Sequence, residues 1–208
     1  NWNKEEMIIL ICTSLVVNQL YRGLINPNQM RFLTGISNGS FDKVLLKPIS
    51  TYFQINMGSI DISSLLSSMA PLAIIIMKMD VLNVAIGFLS VLLYLLLIIN
   101  GLAVVSSFMM LLYSTAFIFI KADGMNNIYF MMTSISEKPK EIFEYKSIIV
   151  SFVFIIPTIP LANAPASILL GKENLGFMLM NIAAGIVFFF ASRIAIYLGM
   201  KKYCSASS

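Results

Sequence analysis

The stretch that decides the fold is VLNVAIGFLSVLLYLLLIINGLAVVSSFMMLLYSTAFIFI (81–120), which contains no Asp, Glu, Lys or Arg. Because an α-helix rises about 1.5 Å per residue, about 20 apolar residues cross the ~30 Å hydrocarbon core of a bilayer. The stretch is twice that length, and Asn100-Gly101, a pair typical of turns, stands at its middle. We therefore expect two membrane-spanning helices, at about 81–99 and 102–120, joined by a tight turn.

The composition of the whole chain favours the same class of protein. Of the 208 residues, 58% are hydrophobic and 12% are charged, whereas about 25% of residues are charged in an ordinary soluble domain. This deficit excludes most soluble enzymes, nucleic-acid binders and disordered proteins. The net charge of +4 comes from 14 Lys and Arg spread between apolar runs, as at the ends of membrane helices. The sequence thus predicts an all-α integral membrane protein with no nucleic-acid partner.

Residues that carry covalent chemistry are scarce. The chain has no histidine, which removes the commonest general base and the commonest metal ligand. Cys12 and Cys204 are too few and too far apart for a disulfide framework or a zinc site, and we expect free thiols. No G-x-x-x-x-G-K-[ST] phosphate-binding loop is present. The sequence predicts no catalytic, cofactor or metal site in this chain.

Further apolar runs predict the other spans. Arg193 lies near the end of the last run, about one turn inside it, and its long side chain can reach the headgroups. We expect one transmembrane domain, 1–208, with five visible spans at about 6–25, 54–77, 81–99, 102–120 and 174–199.

Asp61 is the one carboxylate that this arrangement places in or near the membrane. The run 62–77 alone reaches only about 24 Å, so its helix must begin earlier, near 52–57. Carboxylates inside a membrane are costly and usually functional, which makes Asp61 a candidate polar residue of a transport pathway. The alternative is that Asp61 lies at the interface, or is satisfied by Ser59, Ser63 or Ser64.

Three prolines interrupt the apolar run 147–171. Pro157, Pro160 and Pro165 each remove a backbone donor, and three within nine residues disfavour one continuous helix. We expect two half-helices that enter and leave the same leaflet, which requires a covering of protein or a water-filled cavity. The preceding segment 136–147 carries both signs of charge and is typical of an interfacial helix. The region 138–171 is therefore predicted to be a re-entrant helical hairpin.

The segment 26–51 is the one long polar loop. Ser37 or Asn38 can cap a helix that continues to Lys47, where Pro48 ends it. Phe41, Val44 and Leu45 follow helical spacing and predict one apolar face. Such a helix either rests on the lipid headgroups or docks into a soluble partner. The basic residues divide equally between the two sides if this loop and the C-terminus lie inside, so charge alone does not orient the chain.

Four segments resemble the permease subunit of bacterial ABC-type exporters, the ABC type-2 transport-system permease family. They occur in the family's order over nearly the whole chain: GISNGSFDKVLLKPIS (35–50), KPKEIF (138–143), IIPTIPLANAPASILLG (155–171) and LGMKKYCSASS (198–208).

The resemblance implies a topology. The family usually has six spans and both termini in the cytoplasm, so we expect that an N-terminal span precedes Asn1. With that topology Asn1 is outside, 26–51 is a cytoplasmic loop with a coupling helix, Asn100-Gly101 is inside, and 121–173 is outside. The implied location is the plasma membrane of a bacterium.

The resemblance also implies a transport subunit without chemistry of its own. Separate ATP-binding subunits would hold ATP and Mg²⁺, and a second permease subunit, identical or paralogous, would complete the pathway for amphipathic cargo such as a peptide or drug. Phe41, Leu45 and Leu46 would dock the helix onto the ATPase, and Asp42, Lys43 and Lys47 would orient it. The full set of coupling residues is Gly39, Phe41, Asp42, Lys43, Leu45, Leu46, Lys47 and Pro48. Pro157, Pro160 and Pro165 would form the re-entrant gate.

Two other classes of function remain as alternatives. A secondary transporter would couple ions through an intramembrane carboxylate, for which Asp61 is the candidate. A non-transporting membrane immunity or scaffold protein would need neither ATP-driven export nor ion coupling. A membrane hydrolase is disfavoured, because it needs an activated nucleophile with a base, or a metal.

Overall fold

The computed structural model of the chain describes residues 2–82, 87–117, 124–143, 145–172 and 175–203. Within these ranges every regular element is helical. The α-helices are α1 Lys4–Leu24, α2 Asn26–Ser37, α3 Asp42–Leu45, α4 Thr51–Asn56, α5 Ile62–Ser67, α6 Met69–Val81, α7 Phe88–Ser114, α8 Met125–Ser136, α9 Lys146–Phe154, α10 Ile159–Leu169 and α11 Leu175–Lys202. Short 3₁₀ turns occupy Thr115–Phe117 and Lys140–Ile142.

Four helical segments are long and apolar enough to cross a membrane. They are Lys4–Leu24, Ile62–Val81, Phe88–Phe117 and Leu175–Lys202, and the bent pair α9–α10 makes a fifth if it is counted as one span. The prediction of an all-α membrane protein is confirmed. The predicted span 54–77 is wrong in its bounds: it begins only at Ile62, because residues 57–61 are not helical, and it continues to Val81.

The predicted turn at Asn100-Gly101 is wrong, because α7 runs through it without a break. Both residues serve helix packing instead. A Cβ at Gly101 would lie 2.8 Å from the carbonyl oxygen of Pro160, so the missing side chain lets α10 approach α7 closely. The side-chain amide of Asn100 donates to the carbonyl oxygen of Asn181, 3.0 Å away. The expected spans 81–99 and 102–120 are therefore one helix. This helix begins at Phe88 and not at 81. Residues 118–120 of the second expected span lie outside the described ranges.

The two ends of the helical bundle are marked by different contacts. At the Glu5 end, the start of α1 meets the end of α6 through the Lys78–Glu5 ion pair, 2.7 Å long. At the Phe41 end, the rings of Phe41, Phe117 and Tyr203 pack together. Helices α1, α7 and α11 run from the Glu5 end toward the Phe41 end, and α5–α6 returns.

Helix α8 also returns toward the Glu5 end, beside α1. The ring of Tyr129, near its start, lies 5.1 Å from that of Tyr21, and the hydroxyl of Ser136, at its end, lies 2.7 Å from that of Ser14. The expectation that all of 121–173 lies on one side of the membrane is therefore wrong for 125–136. Since α7 is one helix and not two, the chain reaches the Phe41 end at Phe117 and must cross back.

Helices α1 and α7 form the centre of the bundle. On one side α1 packs against α5 and α6, and on the other side α7 packs against α11, while α10 lies against both central helices. The outward faces are apolar, as lipid contact requires: exposed side chains include Phe88 and Leu89 of α7, Ile76 of α6, and Ile186 and Phe190 of α11.

The polar loop 26–51 is more helical than the sequence indicates. Helix α2 fills its first part, with Pro27 in the first turn, where proline is well tolerated. Ser37 is the last residue of α2 and Asn38 caps its C-terminus, so the predicted N-cap at these residues is wrong. Asn38 is free for this role because the helix that follows, α3, begins only at Asp42 and is one turn long.

Candidate functional site

The segment between α2 and α4 forms an exposed projection at the Phe41 end, which we call the α3 tip (38–50). Its reversal of direction depends on Gly39, whose φ of 74° is strained for other residues. The side-chain oxygen of Asn38 accepts hydrogen bonds from the backbone N–H and the hydroxyl of Ser40, at 3.0 and 2.7 Å. This turn directs the chain from α2 into α3.

Phe41 is the buried anchor of the α3 tip. It is only 1% exposed, and its ring makes edge contacts with Phe32, Phe117 and Tyr203 at centroid distances of 5.3, 5.6 and 5.3 Å. A side chain that is packed inward in this way does not reach a partner's surface. The prediction that Phe41 docks onto another protein is therefore corrected: Phe41 fastens the α3 tip to α2, α7 and the end of α11.

Several other side chains of the α3 tip are exposed. Leu46 is 84% exposed and Leu45 is 43% exposed, and Lys43, Lys47 and Pro48 are exposed as well. Neighbouring exposed apolar side chains with cations beside them suit contact with another protein or with the lipid headgroups. The tip is hydrogen-bonded to α4. The side-chain amide of Gln54 donates to the carbonyl oxygens of Val44 (3.2 Å) and Ile49 (2.8 Å).

Asp42 lies half-buried beside Tyr203 at the base of the tip. Burial, and then the neighbouring negative charge of Asp42, raise the pKa of the Tyr203 hydroxyl. The phenol therefore stays protonated at physiological pH. Asp42 thus faces the chain's own C-terminal segment.

A cavity of about 330 Å³ lies between α2 and the α3 tip. Arg31 and Lys47 contribute cationic groups to its lining, and Phe32, Phe53 and Ile55 contribute apolar walls. Among the described residues, no acidic side chain lines it. The α3 tip therefore borders a cavity whose lining is partly cationic and partly apolar.

A buried amide connects this region to the membrane helices. The side-chain nitrogen of Gln29, in α2, donates to the carbonyl oxygen of Ser106 in α7 at 3.0 Å and to the Asn56 side chain in α4 at 2.9 Å. Its side-chain oxygen accepts from the Tyr21 hydroxyl at 2.8 Å. Four helices, α1, α2, α4 and α7, therefore meet at Gln29. Sequence reasoning missed this residue, although a polar amide just after an apolar run is a signal that could have indicated it.

Asp61 lies on the surface and caps a helix. Its carboxylate accepts from the backbone N–H and the hydroxyl of Ser63, at 3.1 and 2.9 Å, and from the Ser64 hydroxyl at 2.6 Å. These hydrogen bonds, led by that of Ser64, lower the pKa of Asp61. Of the two interpretations of Asp61, the geometry favours the one in which neighbouring serines satisfy it.

The prolines form a sharp break between α9 and α10, whose axes are bent by 114°. Pro157 lies in the break, Pro160 in the first turn of α10, and Pro165 inside α10. The predicted pair of half-helices is confirmed. Almost every side chain of α10 is buried, and so are Pro157 and Thr158 just before it, whereas Ile155 and Ile156 at the start of the break are exposed. Protein therefore covers α10 and the second half of the break.

Asn163 connects the hairpin to the segment before it. Its side-chain oxygen accepts from the backbone N–H of Lys140 at 2.8 Å, and its side-chain nitrogen donates to the carbonyl oxygens of Lys138 and Ser136, at 2.9 and 3.3 Å. Asn163 is 1% exposed. The side-chain amide of Asn163 thus satisfies three backbone groups that no regular helix satisfies. No periodicity in the sequence indicated this role of Asn163.

Polar contacts at the Glu5 end fasten the hairpin to α1. Lys172, just after α10, pairs with Glu6 at 2.6 Å and lies over the ring of Trp2 at 4.7 Å. The indole nitrogen of Trp2 donates to Glu141 at 2.7 Å. Nearby, burial lowers the pKa of Lys140, whose ammonium lies 3.5 Å from the Phe177 ring centroid. The described residues contain no group of three or more His, Cys, Asp or Glu side chains that could hold a metal ion.

The arrangement of a continuous bundle, an exposed tip at one end and a proline-broken hairpin at the other agrees with a comparison against protein families. The family described as ABC-2 family transporter protein matches residues 1–207. The chain belongs to the ABC-2 transporter family. The resemblance of the four ordered segments to this family is thereby confirmed. Searches of curated proteins and of solved structures find no match.

Membership of the ABC-2 family assigns the chain to a general class of membrane protein. The chain is a multi-pass membrane protein of an ABC transporter family, whose permeases are generally membrane subunits without an enzymatic site of their own. The basic residues Arg22 and Lys43 at the Phe41 end, and the acidic residues Glu5 and Glu6 at the other, border the apolar helices.

Proposed function

We propose that this ABC-2 family protein is the membrane subunit of an ATP-driven exporter in the bacterial plasma membrane, and that the α3 tip receives the motion of a separate ATP-binding subunit. The observation that carries the proposal is the contrast between Leu46, which is 84% exposed, and Phe41, which is 1% exposed, five residues apart in the same short projection. One side chain is free for a partner, and the other fixes the projection to the bundle.

The proposed docking set leaves out two of the predicted contact residues, Phe41, which is buried, and Asp42, which faces Tyr203. Leu45 and Leu46 supply the apolar contact and Lys43 and Lys47 supply flanking charge, while Phe41 acts as the anchor. Closure of the ATP-binding subunits on ATP and Mg²⁺ would press on this tip. Since packed helices move as rigid bodies, the motion would pass through α2 and Gln29 into α1 and α7.

The hairpin α9–α10 is the proposed gate on the opposite side of the membrane. Its break at Pro157 lets α9 move relative to the buried α10 without disturbing a continuous helical hydrogen-bond ladder. A second permease subunit would complete the pathway, and the apolar helix faces suit amphipathic cargo such as a peptide or drug. A secondary transporter is less well supported, because the hydrogen bonds of Asp61 occupy it as a helix cap at the surface.

The test is a double substitution, Leu45→Ala with Leu46→Ala, in the chain co-expressed with its ATP-binding subunit. We expect normal folding and membrane insertion, loss of co-purification of the ATP-binding subunit, and loss of transport-coupled ATP hydrolysis in proteoliposomes. Ile60→Ala is the matched control, since Ile60 is also an exposed apolar residue, at 60%, but lies outside the tip. Unchanged co-purification and coupling in the double variant would overturn the proposed docking role.

A further inference from the structure

Arg193 is an exposed cation in the last membrane helix. From Leu175 to Arg193, α11 rises about 27 Å, so the guanidinium lies near the far boundary of a ~30 Å hydrocarbon layer that begins at the start of this helix. It has aromatic neighbours, the rings of Tyr52 and Phe189 at 5.9 and 5.8 Å. Neither of the ion pairs found among the described residues involves it. A cation in this position lies within reach of the lipid headgroups, where an anionic group can pair with it.

An apolar groove begins at Arg193 and follows α7 and α11 toward the middle of the membrane. It consists of two adjoining cavities of about 430 and 490 Å³, which share the lining residues Ile99, Ala103 and Phe189. Tyr52 and Arg193 line the first cavity, and Ile182 lines the far end of the second. The groove thus has a cationic and hydroxyl-bearing mouth and apolar walls.

The length of the groove matches one leaflet of a bilayer. From Arg193 to Ile182 the helix rises about 16 Å, and half of the ~30 Å hydrocarbon core is about 15 Å. Ala103 leaves space along the α7 wall, and the aromatic side chains of Phe189 and Phe190 line the α11 wall. An occupant with one anionic group at the mouth and an apolar chain of this length satisfies both parts of the groove.

We propose that the groove binds an anionic phospholipid of the leaflet at the Phe41 end, with its phosphate on Arg193 and one acyl chain along Ile99, Ala103 and Phe189. The lipid is a bound ligand in this assignment and not the cargo, so the assignment stands independently of the exporter proposal. A phospholipid supplies both parts in one molecule, an anionic phosphate for the cation at the mouth and an acyl chain for the apolar walls.

The experiment is native mass spectrometry of the full chain in mild detergent, with equimolar phosphatidylglycerol and phosphatidylcholine of identical acyl chains. We expect the wild-type chain to retain phosphatidylglycerol in preference, and Arg193→Gln to lower the ratio of the two adducts about fivefold, as for one basic residue at an anionic lipid surface. Arg193→Lys should keep the preference, since the positive charge remains.

Arg22→Gln is the matched control. Arg22 is exposed and lies at the same rise along its own helix, about 27 Å from Lys4, but it does not line the groove. Its ratio should equal that of the wild type. An equal fall of the adduct ratio in Arg22→Gln and Arg193→Gln would show a general charge effect and overturn the assignment. An unchanged adduct ratio in Arg193→Gln would also overturn it.

A second variant tests the groove itself. Ala103→Trp fills the wall that both cavities share, and the tightly held adducts of both lipids should disappear while the thermal midpoint stays within a few degrees of the wild type. An Ala103→Cys chain that also carries Cys12→Ser and Cys204→Ser, and that forms disulfide-linked pairs in native membranes, would place a second copy in the groove and refute the lipid assignment.

Discussion

Phe41→Ala should loosen the α3 tip while leaving its exposed leucines and lysines in place. Truncation of a fully buried phenylalanine costs about 3–5 kcal/mol. Three edge contacts, to Phe32, Phe117 and Tyr203, each contribute about 0.5–1.5 kcal/mol beyond the area they bury. We therefore expect a loss of about 4 kcal/mol in the stability of the tip, which corresponds to about a thousandfold larger population of its open form.

Hydrogen–deuterium exchange of peptides from 38–50 measures this loss directly. The amides of Val44, Leu45 and Leu46, which donate within the short helix, should exchange about a thousandfold faster unless global unfolding sets the limit. Phe53→Ala is the matched control, since Phe53 is 56% exposed on the neighbouring helix α4, and its effect should stay within about 0.5 kcal/mol. Unchanged exchange in Phe41→Ala, together with lost ATP coupling, would show that Phe41 docks a partner and that the anchor is misidentified.

Three further substitutions test the packing and the caps. Gly101→Ala should cost about 1–3 kcal/mol of stability in thermal unfolding, because the new methyl group would lie 2.8 Å from the backbone oxygen of Pro160; Gly87→Ala, with room for a Cβ, should cost little. Asn163→Ala should cost about 2–4 kcal/mol, since three backbone groups lose their partner, and should make the segment 137–146 sensitive to proteolysis; proteolysis at the wild-type rate would contradict the role of this amide. The lowered pKa of Asp61 means that its carboxylate stabilises the fold above the unfolded-state pKa of about 3.9 and that this contribution is lost as the pH falls through the folded-state pKa. Asp61→Asn should therefore remove part of the acid dependence of the thermal midpoint below about pH 5, and an identical acid profile in the two proteins would refute the capping role.

The sequence predicted the features that depend on composition and on proline. Apolar length identified the spans at 6–25 and 174–199, and the spacing of Pro157, Pro160 and Pro165 predicted the broken hairpin, because the loss of a backbone donor acts locally. The sequence could not predict the fate of Asn100-Gly101. A turn and a close helix contact both need a residue without a side chain, and only the position of α10 decides between them.

The proposed coupling site shows a second limit of prediction from sequence. Helical spacing placed Phe41 and Leu45 on one apolar face, and a face of this kind fits both a buried contact and a docking surface. The rings that enclose Phe41 come from Phe32, Phe117 and Tyr203, far apart in the sequence. Burial at this position is therefore a property of the tertiary structure, and no local pattern could separate the anchor from the exposed Leu46.

The unbroken course of α7 has a mechanical consequence. Phe117, at one end of this helical segment, contacts Phe41, and Gly101, about 24 Å away along the axis, contacts Pro160. A helix whose hydrogen-bond ladder continues through 100–101 resists bending there. A displacement of the α3 tip, as proposed above, would therefore reach α10 with little lost to bending of α7. A turn at Asn100-Gly101 would instead bend under the same displacement and transmit less of it. In the proposed mechanism, the stiffness of α7 would determine how closely a movement of the α3 tip is matched by a movement of α10.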